Sequence, residues 1–144
     1  SLDANLRPCE YVYDAAGQLL HKTEYAGSIG AAGSYTLAYV EAQIASTGLA
    51  TNAANRTSWS VYDAAGRLAY AIDAEGAVTR FGYDALGQVV KQTRFAAVRA
   101  TAADPSLATM DTWATGQAGN ALNRVSRMVY DLAGRVAYGV DGEG

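Results

Sequence analysis

The chain has 144 residues, of which 50% are hydrophobic and 17% are charged. This length and composition suit one packed domain and exclude a disordered segment. The net charge of -3 supplies no basic field for phosphates, so we expect no nucleic-acid partner. The sequence contains no apolar run long enough to span a bilayer and no start typical of a signal peptide, so we expect no membrane span.

Two residue types that often build reactive or metal sites occur once each, as Cys9 and His21. A lone cysteine cannot form a disulfide within the chain, and metal sites need several convergent donors. We therefore interpret Cys9 as a packing residue and His21 as a strand residue. The sequence predicts no metal site and no cofactor.

A short motif recurs along the chain: Tyr-Asp-x-x-Gly occurs four times, and Asp-x-x-Gly without the tyrosine occurs at Asp73 and Asp141. Asp63, Asp73 and Asp84 follow one another at steps of 10 and 11 residues, the length of one strand and one tight turn. The predicted structural turn motif comprises Tyr13, Asp14, Gly17, Tyr62, Asp63, Gly66, Asp73, Gly76, Tyr83, Asp84, Gly87, Tyr130, Asp131 and Gly134.

The chemistry of this motif is that of a three-residue hairpin loop. The aspartate side chain accepts a hydrogen bond from the backbone two residues on, and the glycine supplies the positive φ that closes the loop. Such a loop fixes the register, because it places each aspartate opposite the residue after the glycine. It also places four tyrosines opposite aliphatic residues: Tyr13 with Leu19, Tyr62 with Leu68, Tyr83 with Val89 and Tyr130 with Val136.

Eight strands follow from the turns and from their β-branched and aromatic flanks. In chain order we predict strands at residues 9–13, 18–25, 56–62, 67–72, 77–83, 88–95, 123–130 and 135–140. Consecutive strands joined by tight turns form an antiparallel meander. The predicted fold is therefore mainly β.

A longer period lies over the short one, because Tyr13 and Tyr83 are 70 residues apart and Tyr62 and Tyr130 are 68 apart. We predict one repeat fragment over residues 1–144, divided into two tandem units at 9–78 and 79–144. Each unit contains an insertion, at 26–55 and 96–122, that leads into an Asn-Arg pair.

Each insertion carries a helix signal, with an N-cap, an apolar stripe and a terminating glycine. The first helix is predicted from its cap, stripe and end at Ser34, Leu37, Val40, Ile44 and Gly48. The second is predicted from Asp104, Pro105 at the first helical position, Leu107, Met110, Ala114 and Gly116. One apolar face on each short helix indicates packing against the sheet or against a neighbouring unit.

The stretch Tyr62-Asp63-Ala64-Ala65-Gly66-Arg67-Leu68, with its near-copies at 13, 83 and 130, resembles the Rhs or YD-repeat family. That family includes bacterial Rhs and wall-associated toxins, shell proteins of insecticidal toxin complexes and teneurins. The resemblance implies an antiparallel meander of YD-repeat hairpins, here with two short helical insertions. It also implies a segment of a β shell or stalk in a large secreted or surface bacterial protein that encloses or presents a toxin polypeptide.

The expected partners follow from this resemblance and from the strands. They are neighbouring repeats of the parent protein, an enclosed toxin polypeptide, and a second copy that associates through edge strands. The self-cleaving members of the family carry an Asp-Pro-x-Gly motif, whereas Asp104-Pro105 lacks the glycine, so no protease residues are assigned.

We predict no enzyme, because the acidic residues are spread along the turns instead of converging. A carbohydrate-binding or adhesion module is the alternative, in which exposed aromatic rings stack on sugars. The candidate stacking residues are Tyr25, Tyr35, Tyr39, Trp59, Tyr70 and Trp113.

Overall fold

A computed structural model describes residue 2, residues 4–100 and residues 105–142 of the chain. The strands are β1 (Cys9–Tyr13), β2 (Leu19–Glu24), β3 (Arg56–Tyr62), β4 (Leu68–Ile72), β5 (Ala77–Tyr83), β6 (Val89–Val98), β7 (Arg124–Tyr130) and β8 (Val136–Val140). They follow chain order in an eight-stranded antiparallel sheet. The helices are α1 (Leu37–Ser46) and α2 (Leu107–Gln117), with a 3₁₀ turn at Leu49–Thr51. The predicted mainly β meander with two helical insertions is confirmed.

The predicted register is also confirmed at all four complete motifs. Each motif tyrosine is paired across the hairpin with the aliphatic residue expected, and the register shifts immediately before each tyrosine. The pairs are Tyr13 with Leu19, Tyr62 with Leu68, Tyr83 with Val89 and Tyr130 with Val136.

The chain divides into two compact parts, unit 1 (Ser1–Ser58) and unit 2 (Trp59–Gly144). These bounds describe packing, whereas the bounds 9–78 and 79–144 describe internal similarity and stay a prediction. The core of unit 1 consists of Tyr25, Ile29 and Leu49, with partly buried side chains of α1 packed against them.

Unit 2 has the larger core. Tyr70, Ile72, Val78 and Met110 are its most deeply buried side chains, and each is at most 1% exposed. Strands β4 and β5 and helix α2 supply them. Each buried side chain of this size contributes about 1.5–3 kcal/mol through the hydrophobic effect.

The predicted start of α1 was wrong, since Thr36 and not Ser34 caps this helix. The Thr36 hydroxyl accepts a hydrogen bond from the Tyr39 N–H at 3.2 Å, and Ser34 lies too early to reach that first free turn. The helix ends at Ser46, before the predicted Gly48.

The predicted start of α2 also needs correction, because Ser106 caps it and Pro105 lies outside. Ser106 and Thr109 form a reciprocal capping box, with the Thr109 N–H donating to the Ser106 hydroxyl at 3.2 Å. The predicted cap Asp104 lies outside the described residues. The helix continues past Gly116 to Gln117, because an exposed glycine lowers helix stability without ending a helix.

Strand β6 is longer than predicted, since it continues to Val98 and so enters the insertion that we placed at 96–122. Its last residues remain paired with β5, where Ala77 is opposite Val98. Beyond the strand, the Arg99 N–H donates to the Gly76 carbonyl at 2.8 Å. These backbone bonds extend the strand although its sequence is no longer strongly β-forming.

Candidate functional site

The repeated turn has one geometry wherever the described residues contain it. At Asp63 the backbone N–H donates to the Arg67 carbonyl at 2.8 Å, and Oδ1 accepts from the N–H groups of Ala65 and Arg67, both at 2.9 Å. Gly66 has φ 75°, in the left-handed region that favours glycine. The same pattern of bonds forms at the turns that begin with Asp14, Asp73, Asp84 and Asp131.

Two of these turns carry an arginine that closes on the aspartate. The Nε of Arg67 lies 2.8 Å from Asp63 Oδ2, and Arg135 makes the same contact with Asp131 at 2.9 Å. The backbone N–H of each arginine and then its guanidinium hold the pKa of the aspartate below its usual range. Each carboxylate is therefore engaged in holding its own turn.

Two of the four motif tyrosines join successive hairpins through their hydroxyl groups. Tyr83 donates to the Leu68 carbonyl at 2.8 Å, and Tyr130 donates to the Val89 carbonyl at 2.9 Å. Leu68 and Val89 are themselves the cross-strand partners of the preceding motif tyrosines. Each tyrosine thus binds the backbone of the hairpin before its own.

The Arg67 guanidinium lies 4.6 Å from the centre of the Tyr83 ring, which adds a cation–π contact to this junction. Burial raises the pKa of Tyr83, so the hydroxyl keeps its proton and remains a donor. Our sequence reasoning assigned the motif tyrosine only to cross-strand packing and missed this hydroxyl bond. The available signal was the use of tyrosine, never phenylalanine, in all four motifs.

An asparagine closes each insertion. The Ala26 N–H donates to Asn55 Oδ1 at 3.0 Å, and Asn55 Nδ2 donates to the Leu49 carbonyl at 2.7 Å. Asn123 repeats both bonds, accepting from the Ala96 N–H at 2.9 Å and donating to the Gln117 carbonyl at 2.8 Å. The asparagine of each shared Asn-Arg ending is therefore a structural clamp.

Helix α2 is tied to β4 by a buried tyrosine. The Tyr70 hydroxyl donates to Asp111 Oδ1 at 2.6 Å, and Arg80 lies over the Tyr70 ring and 3.7 Å from the same carboxylate oxygen. Burial, and then the bond to Asp111, raises the pKa of Tyr70. The helix is thus held both by apolar packing and by a charge-assisted hydrogen bond.

The aromatic residues predicted to stack on sugars do not share one environment. They are Tyr25, Tyr35, Tyr39, Trp59, Tyr70 and Trp113. Tyr25 and Tyr70 are buried in the two cores, so neither presents a ring face to solvent. Trp59 packs against the core of unit 2, and Trp113 meets Phe95 edge-on at 5.2 Å. Tyr35 and Tyr39 form a T-shaped pair at 6.0 Å on unit 1.

The part of the chain that the structure describes contains no group of three or more His, Cys, Asp or Glu side chains arranged to hold a metal ion. Cys9 lies in β1 and His21 in β2. Within the same described residues, no helix has both the length and the apolar character needed to cross a membrane.

These features define a β-sheet repeat protein in which the turn aspartates, two of the motif tyrosines and the clamp asparagines make hydrogen bonds to backbone groups. Residues 62–98 match the family model described as RHS Repeat. The resemblance to the Rhs or YD-repeat family is thereby confirmed, since residues 62–98 carry an RHS repeat.

Among solved structures, the chain is similar to one chain of "Crystal Structure of TcdB2-TccC3-Cdc42", with a TM-score of 0.51 and 17% sequence identity. The match covers 90% of this chain and 5% of that chain, so the present sequence spans about a twentieth of its neighbour. At this identity the likeness shows the fold. No curated protein matches the chain.

Proposed function

We propose that the chain is a segment of a structural β wall in a large toxin-related repeat protein of bacteria, secreted or displayed at the cell surface, that encloses or presents a toxin polypeptide. The role is structural and not catalytic. The partners are neighbouring repeats of the parent protein and the enclosed polypeptide, and exposed edge strands allow a second copy to associate.

One observation carries this proposal: two motif tyrosines, Tyr83 and Tyr130, hydrogen-bond the backbone of the preceding hairpin. Tyr83 reaches Leu68 and Tyr130 reaches Val89 in the same way, so the contact is a repeated connection between hairpins. A connection of this kind extends a sheet by one hairpin at a time, as in quasi-one-dimensional repeat proteins. The likeness to a chain in the TcdB2-TccC3-Cdc42 structure supports this fold, and the resemblance to the Rhs or YD-repeat family supports the link to toxins.

The proposal is tested by electron microscopy of the full-length protein that contains this sequence. We expect a hollow shell built of hairpins, with this segment in its wall and polypeptide density inside. An empty shell would refute enclosure of a polypeptide, and a globular particle without a continuous hairpin wall would refute the structural role.

The carbohydrate-binding alternative is supported only by the pair of Tyr35 and Tyr39, of which Tyr35 is 39% exposed. Their rings stand 69° apart, so a sugar can stack on one of them at a time. Titration with simple sugars, followed by calorimetry on the chain and on Tyr35→Ala, tests this role. Saturable heat that disappears in the variant would favour the binding module over the scaffold.

A further inference from the structure

Unit 1 contains an apolar groove of about 680 Å³ along β1 and α1. Leu2, Tyr13, Leu37, Val40 and Ile44 line it. Leu37 is 75% exposed and Tyr13 is 56% exposed, and α1 has no buried side chain among its residues. Val40 and Ile44 are half-buried against the core of unit 1, so the apolar stripe of α1 is only partly covered. A partly covered stripe beside an apolar groove indicates a surface that a further element covers.

The second half of the chain contains the same arrangement with that element in place. Residues 70 positions apart have equivalent partners: the bridge between Leu2 and Pro8 corresponds to the pair of Ile72 and Val78. In the same way the Ile29 N–H donates to the Leu6 carbonyl as the Arg99 N–H donates to the Gly76 carbonyl. The groove can therefore be compared position by position with unit 2.

The hairpin of β3 and β4 fills the corresponding space in unit 2. There Met110 and Ala114 of α2, at the positions of Val40 and Ile44, are buried in one cluster with Val61 and Tyr70 of that hairpin. Within the described residues of unit 1, no strand pair packs beneath α1 in this way.

The groove also contains polar groups at the positions of those that bind the β3–β4 hairpin in unit 2. Glu41 occupies the position of Asp111, which accepts the hydrogen bond from the Tyr70 hydroxyl. Glu10 also lines the groove, but it already accepts a hydrogen bond from the Tyr25 hydroxyl at 2.7 Å. Burial, and then this bond, raises the pKa of Tyr25 to about 12. Glu41 is the carboxylate that remains for an incoming donor.

Tyr13 is the second polar residue of the groove that has a hairpin-binding equivalent in unit 2. It occupies the position of Tyr83, whose hydroxyl binds the Leu68 carbonyl of the β3–β4 hairpin and whose ring lies against Arg67 of that hairpin. Tyr13 is exposed at the groove and is positioned to make the same two contacts with an arriving hairpin.

We propose that this groove is the docking site for a Tyr-Asp-x-x-Gly hairpin of a neighbouring repeat. The second strand of that hairpin carries a tyrosine, equivalent to Tyr70, that donates its hydroxyl to Glu41, while Tyr13 donates to a backbone carbonyl of the same strand. This assignment rests on the proposed function, since it takes a neighbouring repeat as the partner.

The test supplies the hairpin from the chain's own sequence. Residues 56–70 are duplicated and fused directly before residue 1, because Leu2 already stands at the position of Ile72 and the junction then keeps the register. The control carries one extra alanine at the junction, which turns the docking side chains to the opposite face of the strand. Amide hydrogen exchange of α1 is measured in both proteins, with α2 as the internal reference.

We expect the in-register extension to slow exchange in α1 by about tenfold or more, and the shifted extension to leave it unchanged. In the in-register extension, Tyr70→Phe in the duplicated copy and Glu41→Gln should each make exchange in α1 about tenfold faster again. The two changes together should add little beyond either one, because they remove the same bond.

Unchanged exchange in α1, or equal slowing by both extensions, would overturn the docking site. The proposed structural role in a β wall would still hold after that result if microscopy shows the shell. Conversely, protection of α1 together with a parent protein that has no wall would sustain the groove and refute the proposed function.

Discussion

Helix α2 packs Met110 and Ala114 against the sheet of unit 2, where each side chain is at most 2% exposed, whereas no side chain of α1 is fully buried. Both helices are capped by a hydroxyl residue and both present an apolar stripe. Local signals thus place a helix, whereas the strands beneath it decide how much the helix stabilises the fold. Isolated helices of this length are marginal in water.

The largest expected effect comes from removing the packing of α2. Met110→Ala should lower the free energy of unfolding by about 2–5 kcal/mol, because it leaves a cavity in a fully buried core. The equivalent change in α1, Val40→Ala, should cost about 1 kcal/mol or less, since this side chain is only half-buried. Urea denaturation of both variants checks the contrast, and equal losses would contradict it.

The next effect separates backbone strain from steric overlap at two turns. Gly87→Ala should cost about 1–2 kcal/mol, because φ is 80° and the added Cβ meets open space. Gly76→Ala should cost more than this, since its φ is 83° and the added Cβ falls on the Arg99 carbonyl. The two melting temperatures give the order, and a milder loss at Gly76 would disprove the close approach.

A smaller effect tests the hydroxyl that joins hairpins. Tyr83→Phe should cost about 1 kcal/mol, because it leaves the Leu68 carbonyl without this donor. Tyr13→Phe is the matched control, since its ring is 56% exposed, and it should change stability by less than about 0.5 kcal/mol. Denaturant unfolding measures both variants. A loss at Tyr13 as large as at Tyr83 would argue against the connection.

The smallest effect is a dependence on pH. The pKa of Asp63 is lowered in the folded state by the Arg67 N–H and guanidinium, so its ionised form contributes stability above its unfolded pKa of about 3.9. This contribution is lost as the pH falls through the lower folded value. The advantage of the native chain over Asp63→Asn should therefore be greatest near neutral pH and shrink in acid. Unfolding curves from neutral to acidic pH test this, and a constant difference would refute it.

Hairpins were predictable from sequence because their chemistry is local. In the turn that begins with Asp63, the hydrogen bonds of the loop all form within five residues. The register then follows from the loop length. The helix caps were less predictable, since Ser34 and Thr36 are both good cap residues and their side-chain chemistry alone does not fix where the first helical turn begins.

One turn escaped detection because its glycine is replaced. Leu6 corresponds to Gly76 and has φ 58°, the one positive value at a non-glycine among the described residues. The only sequence signal was the aspartate 70 residues before Asp73. The groove beside α1 could not be predicted either, because it depends on which strands lie beneath a helix, and that is a tertiary property.

Amide hydrogen exchange in α1 and α2 of the unmodified chain shows whether a repeat hairpin beneath a helical insertion stabilises that insertion. Both helices are measured in one sample, so solvent and temperature are identical. We expect exchange to be at least about tenfold slower in α2 than in α1, because α2 opens only by breaking a core that contains Met110 and Tyr70. Equal exchange in the two helices would contradict this expectation.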